Sequence, residues 1–198
     1  MTVAFYITHP EVQIDASVPV PQWGLSERGR QRARQAALLP FAMGLERIVS
    51  SDERKAVETG EILAGAAGLS VEVMAGMGEN DRSATGFLPP PEFEATADRF
   101  FAEPEISIRG WERAIDAQSR IVSAVETVLA NHSGAPIAFI GHGGVGTLLK
   151  CALKGIAISR QEDQKAGGGH VYAFSLADRS ILFDWRPMET IIEGVFHG

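Results

Sequence analysis

The sequence predicts an α/β fold: a three-layer α/β/α sandwich around a mostly parallel sheet, with an antiparallel hairpin at its C-terminal edge. Short apolar runs typical of strands alternate along the chain with helical segments, which is the pattern of a parallel sheet covered by helices on both faces. The last two strand-like runs are separated only by a polar turn, which indicates a hairpin. The 198 residues contain no repeat or linker, so we expect a single domain over residues 1–198.

Six strands are expected from apolar and β-branched runs. The fourth, at residues 136–141, is the most continuously apolar, which predicts a central strand covered on both faces. The last two would form the hairpin through the polar turn at residues 177–179. Apart from the fourth, the expected strands lie at residues 3–8, 47–51 and 70–74 and, for the two strands of the hairpin, at residues 170–176 and 180–185.

Four helices are expected from capping residues and from the spacing of apolar residues. Ser26 is the expected N-cap of the first helix, which Pro40 would close. Asp52 is the expected cap of the second, which would run to about Gly65. The third would have one apolar face, formed by Ile115, Val122, Val125 and Leu129. The four expected ranges are 26–39, 52–65, 112–130 and 143–153.

Two long irregular segments, residues 10–24 and 76–110, each begin just past a predicted strand. Segments of this length inside a compact domain are typical of lids or binding loops. We expect residues 76–110 to be a lid inserted into the domain, with one helix near residues 92–102. Aromatic side chains in this segment and directly after it would either line an apolar pocket or pack the lid itself, and they are Phe87, Phe93, Phe100, Phe101 and Trp111.

Composition and charge narrow the classes of function. The formal net charge of −7 argues against a nucleic-acid partner and against an anionic membrane surface, but it is compatible with a local positive pocket. No apolar run approaches the ~20 residues that span a bilayer, and the N-terminal stretch indicates a first strand rather than a signal peptide. The single cysteine, Cys151, allows no internal disulfide, which favours a reducing compartment, so we expect a cytoplasmic protein.

Two histidines directly follow predicted strands. In sheets of this kind, functional residues gather at the carboxyl ends of the strands. His142 lies between the most apolar strand and a helix that begins at Gly143, whose free N–H groups favour an anion. His9 follows the first strand and would lie on the same edge of the sheet. The structural alternatives are a core histidine for His142 and a loop histidine fixed by Pro10 for His9.

A basic pair, Arg54 and Lys55, lies in the first turn of the second predicted helix. Cations are unfavourable at that end of a helix, so an anion bound there would explain their position. The alternative is that the acidic residues nearby, Asp52, Glu53 and Glu58, pair with the two cations.

Four stretches, in this order along the chain, resemble the histidine phosphatase superfamily, the phosphoglycerate mutase-like proteins. They are THP at residues 8–10, WGLSERGRQRA at 23–33, SSDERKAVETGEIL at 50–63 and IGHGGVGTLL at 140–149. Their spacing is compatible with the family over nearly the whole chain. The resemblance implies the phosphoglycerate mutase-like fold and phosphoryl transfer from a small phosphorylated metabolite through a phosphohistidine.

The resemblance also implies a role for each candidate residue. His9 would attack phosphorus, and His142 and Lys55 would stabilise the charge on the phosphate oxygens. Glu79 would protonate the leaving oxygen and then activate water, with Asp81 as the alternative. No cofactor and no metal ion is expected. The partner would be a small phosphorylated substrate, and the oligomeric state is left open.

Two departures from the family pattern concern the phosphate site. The family begins with Arg-His-Gly, whereas this chain has Thr8-His9-Pro10, so Thr8 would donate a hydrogen bond where the family uses an arginine. Lys55 takes the position of the family's second arginine and keeps the charge but not the bidentate geometry, with Arg54 beside it as a further phosphate ligand. The arginines that are candidates to replace the missing charge are Arg54, Arg82 and Arg109.

Several alternatives stay open. We favour a phosphatase over a mutase, and the main competitor is a catalytically impaired protein of the same fold that binds phosphate ligands or other proteins. Residues 141–146 also fit the G-x-G-x-x-G pattern of a dinucleotide-binding oxidoreductase, but a polar stretch, SRQEDQKAGGG, replaces the next strand that such a protein needs. An α/β-hydrolase is disfavoured because its nucleophilic serine is missing around His142.

Overall fold

The computed structural model describes residues 2–192, so residue 1 and residues 193–198 of the expected domain lie outside the described residues. The sheet within this range has six strands: β1 (Val3–Thr8), β2 (Arg47–Ser50), β3 (Val71–Val73), β4 (Ile137–Gly141), β5 (His170–Ser175) and β6 (Ile181–Pro187). Their order across the sheet is β3-β2-β4-β1-β5-β6. Strand β4 lies inside the sheet and is buried along its whole length, as its apolar sequence predicts.

The pairing of the strands brings their carboxyl ends together. Strand β4 pairs in parallel with β1, with Thr8 opposite Gly141, and in parallel with β2, with Ser50 opposite Ile140. Strand β5 is antiparallel to both β1 and β6, which confirms the expected edge hairpin. The residues that follow β1, β2 and β4 therefore emerge side by side at one edge of the sheet.

Helices cover both faces of the sheet. Those in the described range are α1 (Glu27–Ala37), α2 (Pro40–Met43), α3 (Arg54–Ala67), α4 (Pro90–Ala102), α5 (Ala114–Ala130) and α6 (Gly143–Leu153). On one face, Ile121 of α5 and Leu148 of α6 pack with Phe139 of β4. On the other face, Leu63 of α3 packs with Ile48 of β2. The three-layer α/β/α sandwich with a mostly parallel sheet is confirmed.

The first two helices differ from the expected boundaries in instructive ways. Ser26 caps α1 as expected, because its side chain accepts the Gly29 N–H at 3.0 Å. Pro40 does not close a helix but opens the short helix α2, since proline needs no N–H in a first turn. The cap of α3 is Glu53 rather than Asp52, and the helix continues through Gly65 to Ala67.

The expectation for α5 was wrong at its start. The helix begins at Ala114 with Arg113 as its cap, and the side chain of Ile115 is 41% exposed. The buried stripe includes Val125 and Leu129, as the apolar spacing predicts, together with small residues such as Ala117 and Ala124. The expected apolar face was therefore right in the middle and last turns of the helix and wrong at Ile115.

The two long segments are more ordered than their sequences suggest. Residues 76–110 contain α4, which begins at Pro90 rather than near residue 92, and which packs Phe100 and Phe101 into the core. Trp111 joins the same core cluster, and its indole N–H donates to the Thr85 hydroxyl at 2.9 Å. In the other segment, Val20–Gln22 forms one turn of 3-10 helix. Among residues 2–192, no helix is both long and apolar enough to cross a bilayer.

Candidate active site

The structure brings His9 and His142 together at the carboxyl edge of the sheet. Their ring centroids lie 5.3 Å apart, and the planes of the two rings are inclined by 66°. The cause is the strand register, because the ladder between β1 and β4 continues one residue further as the His9 N–H donates to the Gly141 carbonyl at 3.0 Å. The two imidazoles are therefore adjacent, as the strand-end argument predicts.

The ring of His9 is held in one tautomer. Its Nδ1 lies 2.9 Å from the Pro10 carbonyl oxygen, which can only accept a hydrogen bond. In the neutral ring the proton is therefore on Nδ1, and the lone pair is on Nε2. Burial, reinforced by the neighbouring His142 and Lys55, lowers the pKa of His9 from 6.5 to about 3. His9 is thus a neutral imidazole at physiological pH, which is the nucleophilic form.

The ring of His142 is fully buried and lies between polar groups. Its Nε2 is 2.8 Å from the Ser51 hydroxyl and 3.4 Å from Oε1 of Glu53, while its Nδ1 has no hydrogen-bond partner among the described residues. Its backbone N–H donates to the buried Tyr6 hydroxyl at 3.2 Å, which fixes the residue at the strand end. Burial lowers the pKa of His142, although the carboxylates of Glu53 and Glu79 act in the opposite direction.

Glu53 is a site residue that the sequence suggested only as a partner for the basic pair. One oxygen of its carboxylate accepts the Glu79 N–H at 2.9 Å and lies near His142, and the other makes a short contact with the ammonium of Lys55. Burial opposes ionisation, but His142, Lys55 and the backbone donor hold the pKa of Glu53 at about 2. The chain's own carboxylate therefore bridges the two groups that would bind a phosphate oxygen.

The predicted phosphate-binding residues are separated by the fold. Lys55 is buried beside Glu53, and its ammonium also donates to the Val20 carbonyl at 3.1 Å. The side chain of Arg54 is 61% exposed and pairs with Glu58 at 2.9 Å. Its guanidinium thus makes no contact with either histidine within the described part of the chain.

The Thr8 hydroxyl is fully buried and already engaged in hydrogen bonds. It donates to Oε1 of Gln164 at 2.7 Å and accepts the His170 N–H at 2.9 Å. These bonds tie the end of β1 to the segment that leads into β5. A hydrogen bond from this hydroxyl to a phosphate would require the bond to Gln164 to break.

Glu79, and not Asp81, lies beside the histidine pair. Its carboxylate accepts the N–H groups of Gly144 at 3.1 Å and Val145 at 3.0 Å, so it occupies the N-terminal end of α6 where the sequence predicts an anion. Burial opposes ionisation of Glu79, but Arg82, whose guanidinium is 3.1 Å away, and His142 lower the pKa overall. Asp81 is exposed and accepts the Ser83 N–H at 2.8 Å.

The other two candidate arginines form ion pairs with glutamates and not with the two histidines. Arg82 binds Glu79, and its guanidinium lies over the rings of Phe93 and Trp111 at 5.2 and 5.4 Å. Arg109 pairs with Glu92 of α4 at 3.2 Å. Neither takes the place of the arginine that the family carries before its first histidine.

A cavity of about 740 Å³ is bordered by Glu79 and by Glu53, whose carboxylate lies 3.4 Å from Nε2 of His142. The side chains of Trp23 and Phe87, whose ring centroids are 5.6 Å apart, line it together with Leu88. Of the five aromatic residues expected in or directly after the lid, Phe87 and Phe93 line this cavity, whereas Phe100, Phe101 and Trp111 are buried in the core. In residues 2–192, no group of three or more histidine, cysteine and acidic side chains is arranged to hold a metal ion.

Comparison with known families places the chain by its sequence. The family model described as the histidine phosphatase superfamily (branch 1) matches residues 15–183. The match therefore includes Lys55, Glu79 and His142 and begins after His9. No curated protein sequence matches the chain.

Solved structures show the same fold at low sequence identity. The mycobacterial glucosyl-3-phosphoglycerate phosphatase in complex with inorganic phosphate is 22% identical, with a TM-score of 0.73 over 94% of this chain and 95% of that chain. YhfR from Bacillus stearothermophilus is 23% identical, with a TM-score of 0.75 over 88% of this chain and 91% of that chain. The phosphoserine phosphatase from Entamoeba histolytica in complex with 3-phosphoglyceric acid is 15% identical, with a TM-score of 0.77 over 96% and 100% of the two chains.

Proposed function

The chain belongs to the histidine phosphatase superfamily, and on this premise we propose that it hydrolyses small phosphomonoesters through a phosphohistidine at His9. The observation that carries the proposal is the state of His9, a neutral ring held through Nδ1 by the Pro10 carbonyl, 5.3 Å between centroids from His142. Family membership favours phosphoryl chemistry over the oxidoreductase and α/β-hydrolase alternatives. Phosphatases among the similar structures support hydrolysis in general, while the substrate is a matter for experiment.

In the first step, Nε2 of His9 attacks phosphorus while the bond from phosphorus to the leaving oxygen breaks. His142 and Lys55 stabilise the negative charge on the remaining phosphate oxygens. In the second step, water attacks the phosphohistidine, the bond between phosphorus and Nε2 breaks, and inorganic phosphate leaves. His9 returns to its neutral form.

Glu79 is the acid and base of this cycle. It is ionised in the free protein because Arg82 and the N–H groups of α6 favour the carboxylate. A phosphate dianion arriving beside it raises its pKa, so that Glu79 takes up a proton and delivers it to the leaving oxygen. The carboxylate then removes a proton from the attacking water.

Hydrolysis of an aryl phosphate tests this function. We expect turnover by the wild-type protein and its loss in His9→Ala, because no other described side chain offers a free imidazole lone pair beside His142. The matched control is His132→Ala, since His132 lies in the loop between α5 and β4, at the opposite end of β4 from His142, and bonds to the Ala135 carbonyl. Equal turnover by His9→Ala and the wild type would exclude the mechanism.

A second candidate is a protein of this fold that binds phosphate ligands without turnover. It is favoured by one observation: Lys55 is already paired with Glu53, so none of the residues that the structure describes offers a free cation to the transition state at this site. Binding of inorganic phosphate without any hydrolysis across a panel of phosphomonoesters would select this candidate. A mutase stays the less favoured alternative, because a doubly phosphorylated intermediate would need more cationic groups than this pocket supplies.

A further inference from the structure

The cavity beside the histidine pair has an apolar wall. Trp23 and Phe87 face each other at 5.6 Å, Leu88 lies next to them, and Phe93 completes the surface under the guanidinium of Arg82. Phe87 is 43% exposed although it is a large apolar side chain. An apolar lining with an exposed aromatic ring favours a ligand that buries hydrocarbon or aromatic surface there.

The charged groups on the same cavity are mostly acidic. Among the described residues that line it, the acidic ones are Asp52, Glu53, Glu79 and Asp81, and the one cation is Arg82. Arg82 is already committed to Glu79 at 3.1 Å. The side chain of Asp52 is exposed and forms no ion pair with any of the described residues. A second negative charge on a ligand in this cavity would face carboxylates rather than a cation.

From this lining we infer the substrate class of the site, an inference that rests on the proposed function. The geometry points to phosphomonoesters of apolar or aromatic alcohols in which the phosphoryl group is the only anion and the leaving group is neutral or carries an ammonium. Esters whose leaving group carries a carboxylate are disfavoured. The cavity excludes them by charge, because the opposing carboxylates have no counter-cation to spare.

Three non-hydrolysable analogues test the inference without depending on turnover. They are benzylphosphonate and its para-carboxyl and para-aminomethyl derivatives, which share one phosphonate and one ring. Calorimetric titration of the full-length protein at constant ionic strength gives their relative affinities. We expect the carboxyl derivative to bind at least tenfold more weakly than benzylphosphonate and the aminomethyl derivative to bind at least as tightly.

Reversing one charge that lines the cavity tests whether the ranking of the analogues depends on the cavity itself or on the net charge of the protein. Asp52→Lys should reduce the ratio of the affinities for the aminomethyl and carboxyl derivatives by about tenfold, while Glu61→Lys should leave this ratio unchanged. Glu61 is exposed on α3, within the same stretch of sequence, and makes the same change in net charge. A change that affects binding of the shared phosphonate and ring alters the affinities for both derivatives equally, so it cancels in the ratio of the two affinities.

Each outcome bears on a different claim. The inference is overturned if the carboxyl derivative binds as tightly as the others, if Glu61→Lys reduces the ratio of the two affinities as much as Asp52→Lys does, or if none of the three analogues binds. If the expected ranking appears but no aryl phosphate is hydrolysed, the ligand class stands and the proposed phosphatase activity fails.

Discussion

Replacing Glu53 by glutamine should convert the site into a tighter phosphate site. The Glu53 carboxylate contacts the Lys55 ammonium, and one of its oxygens lies 3.4 Å from Nε2 of His142. A phosphate that binds these two nitrogens must displace this carboxylate or lie close beside it. Glutamine keeps the shape of the side chain and can still accept the Glu79 N–H, but it removes the competing charge.

The size of the effect follows from the geometry. Two unit charges about 4 Å apart interact by about 4 kcal/mol at the effective dielectric constant of ~20 that suits partly buried pairs. Movement of Glu53 away from the incoming anion and screening by salt reduce this value. We therefore expect Glu53→Gln to bind inorganic phosphate about 10- to 100-fold more tightly, which corresponds to roughly 1.4–2.8 kcal/mol.

The assay is calorimetric titration with inorganic phosphate at pH 7 and constant ionic strength. The matched control is Glu61→Gln, which makes the same change of charge on the exposed face of α3 and should bind phosphate as the wild type does. Thermal unfolding should show Glu53→Gln to be less stable without phosphate, because Lys55 loses its buried partner. A folded Glu53→Gln protein that binds phosphate no more tightly than the wild type would refute the reasoning.

Three further outcomes are expected. Gly146→Ala should lower the free energy of unfolding, measured by urea titration, by about 1–3 kcal/mol, since a Cβ there would lie 2.4 Å from the buried Tyr6 ring. Gly65→Ala should raise it by about 0.5–1 kcal/mol, since a Cβ there meets no atom within 4 Å outside its own helix turn. The pKa of His9 falls from 6.5 to about 3 on folding, so the unfolded chain takes up a proton at a higher pH than the folded protein does. The free energy of unfolding should therefore decline as the pH drops from 6.5 towards 3. Urea titrations should find a shallower decline in His9→Ala. Because Glu79 protonates the leaving oxygen in the proposed cycle, Glu79→Gln should slow hydrolysis of an alkyl phosphate, whose alkoxide needs that proton, more than hydrolysis of an aryl phosphate with an acidic phenol. Equal slowing of both in steady-state kinetics would remove its role as the acid.

The fold and the meeting of the two histidines could be predicted because they depend on local patterns. The apolar runs before His142 and before His9 predict two strands, which pair in parallel in the structure, and parallel strands end at the same edge. Glu79 could be placed near them because it follows a third strand of the same sheet.

The side-chain hydrogen bonds and ion pairs of the candidate site could not be predicted, because most of them join residues far apart in sequence. The Thr8 hydroxyl is engaged by Gln164, which lies 156 residues away, and Glu79 caps a helix that begins more than 60 residues after it. Glu53 is close in sequence to Lys55, but only the fold shows that its carboxylate also reaches His142. Its position just after a strand end was the one sequence signal that could have identified it.

If His9 is the nucleophile, it carries the phosphoryl group during turnover, and that group can be trapped. The protein is mixed with an aryl phosphate, quenched in alkali to preserve phosphohistidine, digested and mapped by mass spectrometry. We expect one added phosphoryl group on the peptide that contains His9, lost on acid treatment and absent from His9→Ala. Hydrolysis without any such adduct, or an adduct on a different residue, would contradict it.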